Sequence, residues 1–217
     1  MKDNYFHINI GRQIGAGGLE LARILGKKYG INVYDKELIY MAAKESGLDK
    51  GLFENADENN NLNLHNNFNF SSFASMTASV MGFNSISGGK LFKIQSDVIL
   101  DLAAKESTIF IGRCADYILR DCPNCLNVFI TADKNDRIAR ARKGGLFGKD
   151  TEKLSDEKIS EMLDKGDRKR SDYYGSFSFK VWGAAESYDM CLNSSVLGMD
   201  RCVKIISDYM DENLLRK

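Results

Sequence analysis

The chain of 217 residues has no net charge, because thirty Lys and Arg offset thirty Asp and Glu. Without an excess of either sign, no global field draws it to nucleic acid or to a membrane surface, so any anion site must be local. It also lacks an apolar run of membrane-spanning length. The opening "MKDNYFHINIG" sets charges beside a short apolar run, with neither the long hydrophobic segment nor the small-residue cleavage site of a leader. The expected location is cytoplasmic, with neither nucleic acid nor membrane as partner. Histidine occurs only as His7 and His65, and no convincing Ser-His-Asp or Cys-His arrangement is visible. The five cysteines are odd in number and scattered through apolar segments, which suits reduced thiols better than a disulfide framework. Only "CPNC", Cys122 to Cys125, has a spacing that carries chemistry. It is half a zinc site, a redox pair, or a turn with two incidental thiols, and the absence of a second pair favours the turn.

Against these absences stands a regular alternation of short apolar runs and helical patterns, which argues for parallel strands joined by crossover helices. The expected strands are "FHINI", "INVY", "TIFIG", "LNVFIT" and "YDMCLN". "LFKIQSDVILDLAAKES" carries a helical stripe at Leu91, Ile94, Val98 and Leu102, and "GMDRCVKIISDYMDENLL" reads as another amphipathic helix. The expectation is one α/β domain over residues 1–217, a parallel sheet of about five strands with the His7 to Ile10 strand central and helices on both faces. The order breaks at about residues 58–90, which are rich in Asn, Ser, Gly and Phe and read as a variable insertion. Its phenylalanines are too apolar for a solvated linker, so it covers a cleft or packs on a second subunit of a homo-oligomer.

The stretch "HINIGRQIGAGGLELARILGKKYG" reads as strand, glycine-rich turn and helix. A turn that wraps an anion must point successive N–H groups inward, and Gly15, Gly17 and Gly18 are expected to supply the positive φ this needs. A helix beginning near Leu19 would add its unpaired amides and the positive end of its dipole. Alternatively, the glycines only let a strand and a helix pack closely. Aligned on the "GAGKGT" form of a P-loop, Gly18 stands at the lysine, Glu20 at the hydroxyl and Arg12 at the first glycine. A carboxylate beside a polyphosphate is repulsive by on the order of 4 kcal/mol at about 4 Å in a partly screened site, so Glu20 must bind Mg²⁺, pair with an arginine or point away.

Cations gather elsewhere. "FIGRCADYILRD" puts Arg113 at the end of an apolar strand, the edge where open α/β sheets collect ligands. "TADKNDRIARARKGG" holds Arg137, Arg140 and Arg142, and "MLDKGDRKRSDYYGSF" holds Lys165, Arg168, Lys169 and Arg170. Such charges are either a solvated face or part of a hinged flap; Gly144, Gly145 and Gly148 between the clusters favour a lid over about residues 143–174. A basic flap over a glycine-rich loop points to phosphoryl transfer.

In the order "IGRQIGAGGLELARIL", "VYDKELIYMAAKESGL", "IFIGRCADYIL", "DRIARAR", "KGDRKRSDYYGSFSFKVWG" and "YDMCLNSSVLG", the chain resembles the cytidylate kinase-like family of P-loop nucleoside monophosphate kinases. The resemblance covers most of the length except the Asn/Phe-rich stretch. It implies a P-loop NTPase-like three-layer fold and a kinase that moves the γ-phosphoryl group of ATP, with Mg²⁺, to a nucleoside monophosphate such as CMP or to another small-molecule acceptor. Gly15, Ala16, Gly17, Gly18, Leu19 and Glu20 would hold the donor phosphates, with Glu20 on the metal. Asp35, Arg113 and Asp116 would bind acceptor, while Arg12, Arg168 and Arg170 would neutralise charge during transfer. The chain departs from the family in having Cys114 after the acceptor arginine and no loop lysine. A catalytically weak nucleotide-binding regulator with a degenerate P-loop is the competing reading.

Overall fold

A computed structural model describes residues 5–35 and 88–213. Strand β1 (His7–Arg12) leads through the glycine-rich turn into α1 (Gly18–Tyr29) and then β2 (Asn32–Tyr34). Next come α2 (Gly88–Lys105), β3 (Thr108–Ile111), the short α3 (Ala115–Ile118), β4 (Cys125–Thr131) and α4 (Lys134–Lys143). A turn-rich link carries the chain to the long α5 (Asp156–Ser178), then β5 (Met190–Asn193), the short α6 (Ser194–Leu197) and α7 (Met199–Asn213). The strand order is β2-β3-β1-β4-β5, and every pairing is parallel. β1 is central, as its near-continuous burial requires of a strand covered on both faces.

Alternation along β1 separates two packed layers. Ile8 and Ile10 join Leu21 and Leu25 of α1 and Cys202, Ile206 and Met210 of α7 in one core. Phe110 of β3 packs with Ile94, Val98 and Ile99 of α2 and Leu119 in another. His7 is fully covered, with its Nδ1 2.7 Å from Thr108 Oγ1, and burial pulls its pKa down to about 4. A third cluster matters most for the loop: Ile14 packs with Ile138 and Ala141 of α4 and with Ile159 and Leu163 of α5. The Ser155 hydroxyl accepts from the Lys158 amide and caps α5.

Each expected strand is present, with ends moved by a residue or two; β1 runs on to Arg12, whereas β5 starts only at Met190. Of the expected insertion, residues 58–87 lie outside the described residues, and Gly88 already begins α2. Among the described residues, no helix is long and apolar enough to cross a membrane.

Candidate functional site

Because the sheet is parallel, the ends of β1, β2 and β3 bring the glycine-rich turn, Asp35 and Arg113 to one edge. The turn's backbone is settled carbonyl by carbonyl. Arg170 Nη1 donates to the Arg12 carbonyl at 2.9 Å, the Ala16 amide to that of Gln13 at 3.3 Å and Arg137 Nε to that of Ile14 at 2.7 Å. Arg140 Nη1 holds the Gly15 carbonyl at 3.2 Å, the Ser194 hydroxyl that of Ala16 at 2.8 Å and the Leu21 amide that of Gly17 at 3.0 Å. With every carbonyl from Arg12 to Gly17 occupied, the amides of Gly15, Gly17, Gly18 and Leu19 meet no acceptor among the described residues. Gly15 and Gly17 turn them at φ 78° and 86°. The result is a cluster of donors at the start of α1, the arrangement that receives an anion.

Gly18 corrects one expectation. It is the first residue of α1 and has no positive φ; what it provides is space. A β-carbon there would lie 2.8 Å from Arg12 Cβ and 3.0 Å from Arg12 Cγ.

The turn is clamped from behind. Asp167 Oδ1 accepts the Ile14 amide at 2.8 Å, and the other carboxylate oxygen pairs with Arg137, which also holds the Ile14 carbonyl. Asp167 and Arg137 are buried, so each charge depends chiefly on the other. α5 comes close enough because Gly166 faces the Ile14 side chain, where a β-carbon would lie 2.2 Å from Cδ1.

On the β3 side, Arg113 and Cys114 are left-handed at φ 60° and 57°, a conformation that costs a non-glycine residue roughly 1–2 kcal/mol. The turn directs the Arg113 guanidinium over the Tyr173 ring, 5.3 Å from its centroid, and Tyr173 donates to Gln95 Oε1 at 2.8 Å. Burial pushes the Tyr173 hydroxyl up to about 12 and the Cys114 thiol up to about 12, so neither ionises at neutral pH. Beneath them Asp116 is buried and accepts from the Tyr174 hydroxyl at 2.6 Å. Burial raises its pKa and the Tyr174 bond partly restores it. Burial also pulls Arg170 down to about 10, helped by the fields of Arg113 and Arg137 and opposed by Asp167; it stays charged at pH 7.

Arg12, Gly15 to Leu19, Arg113 and Arg170 thus converge on the edge. Asp35, half-buried, follows β2 on the same edge. Glu20 is exposed in the first turn of α1, and Arg168 is exposed on α5; neither makes an ion pair with a described residue. Asp116 sits under the Arg113 turn, holding α5. Of the residues reading by motif passed over, Asp167 and Ser194 matter most; Arg137 and Arg140 were visible only as members of a basic cluster. Cys125 opens β4 opposite His7, at the end of the sheet remote from the turn. Burial and the neighbouring Cys122 raise its thiol pKa. No group of three or more potential metal ligands occurs among the described residues.

Comparison with curated proteins gave no significant match. Among solved structures, an uncharacterized protein from Eubacterium ventriosum is 25% identical with a TM-score of 0.69, covering 96% of this chain and 99% of the other. Shikimate kinase from Bacteroides thetaiotaomicron is 12% identical with a TM-score of 0.52, covering 95% of this chain and 98% of its own. Shikimate kinase from Acinetobacter baumannii, solved in complex with shikimate, is 10% identical with a TM-score of 0.52, covering 98% and 97%. At such identities the two kinases speak to the fold, a five-stranded parallel sheet with flanking helices. The model of the cytidylate kinase-like family matches residues 7–196, and with the strand order and turn described above, the chain belongs to that family.

Proposed function

We propose that this protein is a cytoplasmic kinase that transfers the γ-phosphoryl group of ATP to a nucleoside monophosphate such as CMP. The observation that carries the reading is the cluster of amides at Gly15, Gly17, Gly18 and Leu19, left without acceptors among the described residues while every carbonyl from Arg12 to Gly17 is held. Such donors suit the β- and γ-phosphates and cost no reorganisation when the donor arrives. The acceptor lies between Asp35 and Arg113, with Asp116 fixing the Arg113 turn. Its phosphate oxygen attacks the γ-phosphorus in line, the bond to the bridging oxygen breaks, and ADP leaves with that electron pair. An acceptor phosphate is already nucleophilic at neutral pH, so no protein base is needed.

Arg12 and Arg170 face the charge that develops, and Arg168 joins them when residues 143–174 close as a lid. Glu20, an exposed carboxylate in the same first turn as the Gly18 and Leu19 amides, fits Mg²⁺, which needs only one or two protein carboxylates besides phosphate oxygens. Glu20 would hold the ion there, and the chemistry supplied would be neutralisation of charge on the donor phosphates. Gly18 at the lysine position favours a second reading, a nucleotide-binding regulator of weak activity.

Thermal shift with Mg²⁺ and each nucleotide separates these readings when paired with an ADP-release assay against a panel of monophosphates. A ligand at about 100 times its dissociation constant adds about 2.7 kcal/mol of stability. Stabilisation by ATP with monophosphate-dependent ADP release is the expected result. Stabilisation without release selects the regulator, and a flat response to all nucleotides removes both.

A further inference from the structure

The Arg12 side chain runs between two glycines from different elements. Its stem fills the place where a Gly18 side chain would begin, with hypothetical β-carbon contacts of 2.8 and 3.0 Å. Its Nη1 lies 2.3 Å from where a β-carbon of Gly112 would stand. The side chain therefore spans from the glycine-rich turn, where its stem lies, to the end of β3, where its guanidinium lies next to Gly112, while Arg170 holds the Arg12 carbonyl. Gly18 occupies the lysine position of an ordinary P-loop, and Arg12 that of the first glycine.

We propose that the loop's cation has changed walls: Arg12 takes over the lysine's contact with the donor γ-phosphate from the strand side, and Gly18 is glycine because the arginine stem needs its space. The inference rests on the phosphoryl-transfer reading and deepens it, since it makes the lysine-free turn a complete site. Two features tie the exchange together. A lysine at position 18 and an arginine at position 12 exclude each other sterically, because the closest clash falls on Cβ, which the backbone fixes, rather than on a guanidinium that could swing away. And a cation reaching Gly112 stands between the donor amides and Arg113, where the transferring group must pass. An acceptor bearing its own anion is then drawn to Arg113 across the same guanidinium.

A stability cycle tests the packing without any ligand. Alanine normally improves the first turn of a helix over glycine, so Gly18→Ala lowers the melting temperature in the wild-type background and raises it in the Arg12→Gly background. An equal effect in both backgrounds overturns the exclusion. Calorimetry with Mg-ATP and Mg-ADP tests the charge. Arg12→Met is expected to cut ATP affinity ten- to hundredfold, the range of one charge-assisted contact, with ADP affinity changed by less than about threefold. The double variant Arg12→Gly/Gly18→Lys recovers the ATP-over-ADP preference to within about fivefold of wild type, whereas Gly18→Lys alone does not. An Arg12→Met protein that keeps the preference, or a double variant no better than Arg12→Met, overturns the proposal. A wild-type protein that binds neither nucleotide sinks the phosphoryl-transfer reading itself, and is told apart by the melting cycle.

Discussion

Removing Asp167 should uncouple the glycine-rich turn from α5, and the size of the loss follows from what its carboxylate holds. One oxygen accepts the Ile14 amide and the other pairs with Arg137, both partners being buried. Truncation to Ala leaves an uncompensated buried guanidinium, worth about 3–5 kcal/mol, and an orphaned amide, worth about 1–3 kcal/mol. The two overlap, because water entering the gap serves both, so the expected cost is about 4 kcal/mol. For a chain of this size that lowers the melting temperature by roughly 8–16 °C. Urea unfolding followed by circular dichroism measures it. Asp167→Asn, which keeps an oxygen for Ile14 but loses the charge, should fall in between. The informative variant is Asp167→Leu/Arg137→Met. Apolar replacement of a buried pair regains most of the stability, yet the Ile14 carbonyl and amide are no longer held, so nucleotide affinity stays low. An Asp167→Ala cost below about 1 kcal/mol, or a double variant that binds nucleotide like wild type, would refute the clamp.

Gly17→Val should abolish nucleotide binding in calorimetry while the sheet remains folded, because φ is 86° there and a β-carbon would lie 2.6 Å from Met199 Cε. Arg113→Gly should act with opposite signs on two measurements. It relieves the left-handed strain at φ 60°, raising the melting temperature, while CMP binding weakens by about 1.5–3 kcal/mol, the worth of a charge-assisted hydrogen bond; unchanged CMP binding would remove Arg113 from the acceptor site. His7 should make the fold acid-sensitive. Folded His7 takes up its proton only near pH 4 whereas an unfolded one does so near 6.5, so between those values the unfolded chain binds more protons and stability falls as pH drops, by about 3 kcal/mol in all. His7→Gln, which keeps a hydrogen-bonding partner for Thr108, should flatten that part of the stability profile; an unchanged slope would assign the acid sensitivity to another group.

The five strands, the glycine-rich turn and the central place of the strand before it were legible because each follows from local chemistry: apolar alternation, glycines that permit positive φ, and a helix start; the order of the outer strands was not, because it is set by long-range pairing. What faces the turn was legible only as composition. "DRIARAR" and "KGDRKRSD" announce clustered charge, but whether a given arginine meets solvent or a carbonyl depends on a fold that sets Asp167 against Ile14, 153 residues apart in sequence. Hence Arg170 and Arg168, equivalent by motif, separate into one that holds the Arg12 carbonyl and one that is exposed. Gly18 shows the opposite failure. Its residue type was read as backbone freedom, whereas it serves the Arg12 stem, and no local rule distinguishes a glycine needed for φ from one needed for space. The left-handed Cys114 was equally hidden, since its strain is sustained by burial and by the Tyr174–Asp116 bond beneath it.

Four of the six carbonyls from Arg12 to Gly17 are held by Arg137, Arg140, Arg170 and Ser194, contributed by elements much later in the chain. The turn leaves the ribosome well before these partners, yet it cannot take its amide-forward shape until β4, α4, α5 and α6 have emerged and docked. The Ser194 bond to Ala16 alone spans 178 positions. Ligand competence is thus a late event of folding, and long-range closures of this kind are slow relative to local helix formation. A nascent chain halted after β4 would expose the glycine turn without its amides aligned, so nucleotide cannot template the early sheet. It can only select chains in which α4, α5 and α6 have already docked.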